Sequence, residues 1–212
     1  MRGLYRFSAT TRFAKERCDS SPRRFGRLVT LLEISGTAHE LTAYMVSSAR
    51  MRGQLMQGSE PVVAFLNEAL TAELTAINQY FLHAKICENW GWKGLAKTFR
   101  DESIEEMHDA EKLIERILLL DGHPNVQRIG NIAIGESVEE QLGLDLQLEI
   151  EAVDRYRRGV EICLSEADPG SRELVEHLLV GEEHHLDWIE TQLSMIEEIG
   201  IERYLQSSIG EE

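Results

Sequence analysis

The topology open to this chain depends on a segment of seventeen residues, DGHPNVQRIGNIAIGES at 121–137. It separates two long stretches of helical periodicity and has no helical pattern of its own. Extended at roughly 3.3 Å per residue it spans about 55 Å, whereas a helix of about 26 residues is about 39 Å long. The segment can therefore cross a whole bundle and set the helices on its two sides parallel.

Four long helices are predicted around this segment. Ser59 has the residue type of an N-cap, Pro61 lies in the first turn, and Gly91 and Gly94 break the chain after the first helix. The predicted bounds are about 59–90, 95–120, 137–166 and 171–199, with a short fifth helix in IERYLQSSI after Gly200. Two short loops predict two antiparallel hairpins. The sequence thus predicts an all-α, ferritin-like four-helix bundle with one long crossover and a short fifth helix.

The charge divides the chain into two parts. Residues 1–55 hold ten Lys/Arg and four Asp/Glu, whereas residues 56–212 hold twelve and thirty-three. We interpret residues 1–55 as an N-terminal extension, because an Arg- and Ser-rich composition is typical of a targeting presequence. The alternative is that Met1 is an upstream start and that translation begins at Met56. Residues 56–212 are expected to form the functional domain.

Composition also limits the classes of partner. The acidic body argues against nucleic-acid binding and favours cationic partners such as metal ions, although a solvated acidic surface has the same composition. There is no run of eighteen apolar residues, so no membrane span is expected. The three cysteines are too scattered for a disulfide framework, which favours a cytoplasmic protein.

The second helix contains two competing pairs of candidate ligands in EEMHDAE at 105–111. Its apolar stripe runs Leu95, Phe99, Glu102, Glu106, Asp109/Ala110, Leu113, Ile117, Leu120. Glu106 and Asp109 share this face, whereas Glu105 and His108 lie about 100° away. We therefore expect Glu106 and Asp109 to point inward and His108 to be solvated.

Each of the other three long helices also has a carboxylate in the middle of its apolar stripe. The fourth helix has Glu182 and His185, a Glu-x-x-His pair with both members on one face, and the first and third have Glu73 and Glu149. Any one of these could lie at a stripe edge and reach solvent. Four converging carboxylates, however, need protons or cations, and oxygen-rich ligation with imidazole suits two iron or manganese ions. Ferritin-like di-iron proteins have this pattern.

Several motifs in residues 56 to about 208 resemble bacterioferritin. They are ELTAINQYFLHAKICENWG, ESIEEM, LIERILLLDGHPN, EEHHLDWIETQL and YLQSSI, together with QGSEP after Met56. The resemblance implies a hollow shell of twenty-four subunits that oxidises Fe(II) and stores it as a ferric mineral. It also implies a di-iron centre in which one iron is held by Glu73, Glu106 and residue 109, and the other by Glu149, Glu182 and His185.

Further details of the site follow from the same resemblance. Glu106 and Glu149 are expected to bridge the two irons, and Tyr80 matches a tyrosine beside the site. The departure is Asp109, which stands where the family has histidine, so activity is expected to be retained but reduced.

Met107 is the candidate haem ligand. It lies off the core stripe with Ser103, Ile104 and Ile114, on a flank that could meet another subunit. The resemblance implies that it ligates haem b shared between two subunits across a two-fold axis. Haem would pass electrons from an electron donor during iron release.

Two other functions are compatible with parts of the pattern. A haem-binding, ferroxidase-impaired structural subunit of a mixed shell would fit the change at Asp109. A rubrerythrin-like or oxygenase di-iron enzyme is disfavoured, because rubredoxin-type cysteine pairs are absent from the sequence. A homo-oligomer of 24 and a hetero-oligomer with a second subunit both remain open.

Overall fold

The computed structural model describes residues 57–209, which are helical apart from their connecting segments. The helices are α1 (Glu60–Trp90), α2 (Lys93–Leu119), α3 (Val138–Ser165), α4 (Pro169–Ile199) and α5 (Ile201–Ser207). Within the described residues, no helix combines the length and the apolar character that a membrane crossing requires. The predicted extension, residues 1–55, lies outside the described residues.

The predicted fold class is confirmed, and the helix bounds differ from prediction at two places. Ser59 caps α1 as expected, and Gly91 ends it with a positive φ of 91°. Gly94 is not in the loop but in the first turn of α2, where its amide donates to the Ser208 carbonyl at 2.9 Å. Helix α4 begins at Pro169, because the Asp168 side chain caps it by accepting from the Ser171 amide.

A ladder of four polar side chains on α1 holds the crossover. This polar ladder consists of Asn67, Thr75, Gln79 and His83. Each member accepts a hydrogen bond from a backbone amide of the crossover: Asn67 from Asn125 at 2.7 Å, Thr75 from Gly130 at 2.7 Å, Gln79 from Ala133 at 3.0 Å and His83 from Gly135 at 3.3 Å. Because both series ascend together, the crossover runs in the same direction as α1. Helix α3 therefore starts at the end where α1 finishes and α2 begins, which makes α2 and α3 parallel as predicted.

The polar ladder also ties α1 to α3 through a buried carboxylate. Gln79 Nε2 donates to Asp145 Oδ1 at 2.8 Å, and His83 Nδ1 lies 3.0 Å from Asp145 Oδ2. His83 Nε2 accepts from Gly135, so its proton must be on Nδ1, where it donates to Asp145. All three side chains are almost fully buried, and each would be costly to bury without these partners.

The apolar core consists of two clusters with a polar layer between them. One cluster includes Phe65, Leu70, Leu113, Val175 and Leu178, and the other includes Ala76, Phe99, Leu142, Ile189 and Ile196. Along every long helix the buried carboxylate lies between the members of the two clusters: Glu73, Glu106, Glu149 and Glu182. The core thus excludes water above and below this layer.

We predict that Gln79→Leu destabilises the protein by roughly 2–4 kcal/mol, because it leaves the Ala133 amide and Asp145 short of partners in a buried site. Thermal or urea unfolding followed by circular dichroism measures this change. Asn78→Leu is the matched control, since the exposed Asn78 side chain bonds only the Leu74 carbonyl of its own helix. Equal stability of the two variants would show that the crossover does not depend on the polar ladder.

Candidate metal centre

The centre of the bundle brings together side chains from α2, α3 and α4. Ligand atoms of Glu106, Glu149, Glu182 and His185 all lie within 4.8 Å of one another. The three glutamates are between 0% and 2% exposed, and the His185 side chain is 10% exposed. The outermost two, Glu106 and His185, are 79 positions apart in the sequence, so only the folded bundle makes these residues neighbours.

Several atoms of this group have no hydrogen-bond partner within the described chain. They are both carboxylate oxygens of Glu106, Oε2 of Glu149, Oε2 of Glu182 and Nδ1 of His185. Buried polar atoms are normally paired, and an unpaired buried carboxylate is especially costly. A bound cation would satisfy all of these atoms at once. The donor set, which is rich in carboxylate oxygen and contains one imidazole, fits iron or manganese.

Two buried tyrosines orient the remaining oxygens of the layer. Tyr80 donates to Oε1 of Glu149, and Tyr156 donates to Oε1 of Glu73. Burial, together with the adjacent glutamates, raises the pKa of both tyrosines well above the usual value, so they stay protonated donors. On Glu149 this leaves Oε2 without a hydrogen-bond partner among the described residues. The sequence placed Tyr80 beside the site but did not identify the role of Tyr156.

Burial dominates the titration of the glutamates. It raises the pKa of Glu106 and Glu182 well above the usual value, and the negative charge of Glu73 adds to the effect in both cases. The pKa of Glu73 is also raised by burial, although the hydrogen bond from Tyr156 opposes this. Without a cation the centre therefore retains protons that an exposed carboxyl would release.

The competing pair on α2, Glu105 and His108, lies on the exposed side of the helix and not in the buried layer. His108 is exposed as the sequence predicted, whereas Glu105, although 58% exposed, has Oε2 3.7 Å from Nε2 of His185. Asp109 is buried, but its Oδ1 accepts from Lys112 Nζ at 2.6 Å and does not join the group of four ligand atoms. Glu73 is also buried in the layer but outside that group.

Glu102 contacts the proposed ligand His185. It lies on the predicted apolar stripe of α2, but its role could not be read from the sequence. Its Oε2 lies 3.0 Å from Nε2 of His185, while Nδ1 of the same ring lies 3.5 Å from Glu106. The imidazole thus sits between the centre and a half-buried carboxylate on the α2 surface. Such a carboxylate partner orients a ligating histidine and raises its basicity.

A cavity of about 660 Å³ reaches the layer from the side covered by the crossover. Its walls include Glu73, Glu106 and Glu182 at the inner end, and Asn125, Arg128 and Asn131 of the crossover. Three glutamates at its inner end make it a route that favours cations.

Met107 lies on the surface that α1 and α2 share. It is 52% exposed, and Ile104 and Phe81 are also exposed. Ser103 does not belong to this flank, since it is buried and its hydroxyl donates to the Ile77 carbonyl at 2.9 Å. Ser103 fills a contact between α1 and α2, and the periodicity of one helix does not reveal such a contact.

A four-helix bundle with a long crossover, in which a central glutamate layer includes one histidine, defines a ferritin-like protein. The Ferritin-like domain family model matches residues 63–199. The chain is 53% identical to a bacterioferritin of Streptomyces coelicolor over 154 residues, which is 73% of this chain and 92% of the relative. It is 48% identical to a bacterioferritin of Mycobacterium leprae over 149 residues, which is 70% of this chain and 94% of the relative. The chain belongs to the bacterioferritin family, and membership supports a role in iron storage.

The raised pKa values predict how the stability of the metal-free protein depends on pH. Because folding raises the pKa of Glu106 above its usual 4.5, the folded state binds more protons, and the free energy of unfolding falls as pH rises from about 4.5 through the folded pKa. At a pH above the folded pKa, each unit by which folding raises the pKa lowers the free energy of unfolding by about 1.4 kcal/mol. Glu106→Gln should remove this loss and make the metal-free protein more stable at neutral pH.

Unfolding of wild type and Glu106→Gln between pH 4.5 and pH 8, with chelator present, measures this difference. Glu111→Gln is the control, because Glu111 is exposed on the same helix. A wild-type protein that loses no stability relative to Glu106→Gln as pH rises would contradict the prediction.

Proposed function

We propose that the chain is a ferroxidase subunit of an iron-storage shell, which oxidises Fe(II) and stores the ferric product as mineral. The unpaired buried oxygens of Glu106, Glu149 and Glu182 carry this proposal, because they form an anionic layer that only protons or cations can satisfy. Family membership supports the same function. Residues 56–212 are proposed as the functional unit, which assembles into a shell of 24, alone or with a second bacterioferritin subunit.

The proposed ligands are the residues that the sequence singled out. Glu149, Glu182 and His185 would hold one ferrous ion, Glu73 and Glu106 with Asp109 would hold the other, and Glu106 and Glu149 would bridge the two. Substrate can enter through the cavity that ends at Glu73, Glu106 and Glu182. As the ions bind, the glutamates lose the protons that burial had retained, which couples iron binding to proton release.

The overall reaction transfers two electrons. Two Fe(II) ions each lose one electron, and dioxygen with two protons becomes hydrogen peroxide, or peroxide with two protons becomes water. Tyr80 and Tyr156 keep one oxygen of Glu149 and of Glu73 in place during this change in iron charge. The ferric product then moves to the shell interior, where acidic side chains concentrate cations.

The ferroxidase-impaired structural subunit is the less favoured alternative. All six proposed ligands are buried, and unpaired atoms remain on four of them. A subunit that had lost the metal centre would have no need to retain unpaired buried carboxylates, since apolar replacements would stabilise it.

We predict that the wild type oxidises Fe(II) more slowly than Asp109→His but much faster than Glu182→Ala. Histidine at 109 would restore a neutral nitrogen ligand, whereas removal of Glu182 takes a ligand from the centre and should cost roughly 10–100-fold or more. Rapid mixing with Fe(II) and oxygen on homopolymeric protein measures the rates. Glu183→Ala is the control, because the exposed Glu183 pairs only with Arg157. Equal rates for wild type and Glu182→Ala would favour the structural subunit.

Met107 is proposed to hold haem b through its sulfur, together with the same residue of a second subunit. The exposed thioether lies among exposed apolar side chains, which fits a hydrophobic group bound between two copies. Bound haem supplies one-electron chemistry, with which an electron donor can reduce stored iron for release.

We predict that Met107→Leu loses the haem absorbance of the purified protein while its assembly remains intact. Leucine keeps the apolar volume but has no sulfur to coordinate iron. Absorption spectroscopy and size-exclusion chromatography measure the two properties. Met195→Leu, at a methionine on α4 that is 41% exposed, is the control. Full haem occupancy in Met107→Leu would show that another residue is the ligand.

A further inference from the structure

Asp109 is the one proposed ligand that already has a cationic partner. Its side chain is 10% exposed, and Oδ1 accepts from Nζ of Lys112 at 2.6 Å, three residues along the same helix. The Lys112 side chain is 40% exposed, so its ammonium lies where the polar layer meets the α2 surface. Both residues line a surface cavity of about 320 Å³ with Glu105 and His108.

The carboxylate of Asp109 is nevertheless close to the metal centre. Its negative charge contributes to the raised pKa of Glu73 and of Glu182, which belong to the layer on α1 and α4. Its oxygens, however, lie outside the group of ligand atoms from Glu106, Glu149, Glu182 and His185. Asp109 is thus a charged neighbour of the layer, but its Oδ1 is directed towards Lys112.

We infer that Lys112 is a positioning residue that decides how many divalent cations the centre holds. By keeping Asp109 on the α2 surface side, Lys112 leaves one complete high-affinity site, formed by Glu106, Glu149, Glu182 and His185. The second site, with Glu73 and Glu106, is incomplete and binds weakly until Asp109 is released. This inference rests on the proposed metal centre.

The physical basis is competition between two cations for one carboxylate. A charge-assisted hydrogen bond that is nine-tenths buried on the acceptor side is stronger than an exposed pair, and it opposes movement of the Asp109 carboxylate towards a cation in the layer. The tether between positions 109 and 112 keeps the ammonium at high local concentration. A histidine at 109 would form no such ion pair. Lys112 therefore has this effect only when residue 109 is an aspartate.

The test is an anaerobic titration of the metal-free assembled protein with Co(II). Cobalt absorption and calorimetry count the ions bound per subunit without any oxidation. Wild type should bind one ion tightly, and Lys112→Met should bind two, with the second at least roughly tenfold tighter than in wild type. Lys112→Arg should behave as wild type, because the guanidinium can replace the ammonium as partner.

Two controls separate coordination by Asp109 from a simple change of charge. Lys97→Met also removes a cation from α2, but Lys97 pairs with the exposed Asp101, so it should still bind one ion. Asp109→Ala with Lys112→Met should also bind one, because the released carboxylate is absent. A second tight site in either control would overturn the inference, since charge alone would explain it.

Other outcomes distinguish this inference from the proposed function. A wild-type protein that binds no Co(II) would contradict both. Two tight ions in wild type, or one in Lys112→Met, would overturn the role of Lys112 while leaving the metal centre in place. Lys112→Gln repeats the measurement with a polar side chain, so poor assembly of one variant does not decide the result.

Discussion

The structure depends on the burial of several carboxyl groups in one layer of the bundle. Burial raises the pKa of Glu106 and Glu182, and both oxygens of Glu106 and one of Glu182 find no donor among the described residues. The two apolar clusters on either side exclude the water that would otherwise screen them. Their packing keeps the glutamates together in spite of the cost of burying them, and a cation bound in the layer would offset that cost.

The crossover is a structural part of the same arrangement. The polar ladder, Asn67, Thr75, Gln79 and His83, pairs four backbone amides of a segment that has no helix of its own. These bonds satisfy donors that would be costly to bury, and they hold the segment over the cavity that leads to the glutamates. The side of α1 that faces the crossover can therefore be polar, because its side chains are paired with the crossover amides.

The sequence by itself determined the fold class and the side chains that turn inward. Helical periodicity separated Glu106 from Glu105 and Asp109 from His108, because one residue turns a helix by about 100°. The length of residues 121–137 determined the parallel arrangement of α2 and α3, since a short loop cannot cross a bundle. These features are local or depend only on chain length, so no tertiary contact was needed to infer them.

Only the tertiary structure decided what each inward side chain contacts. The pairing of Tyr156 with Glu73 joins residues 83 positions apart, and the contact between Glu102 and His185 joins α2 to α4. The direction of Asp109 was also undecided, because periodicity gives the face of a helix but not the rotamer of a side chain. In the folded protein that carboxylate pairs with Lys112. The outcome depends on distances between groups that meet only after the helices have packed.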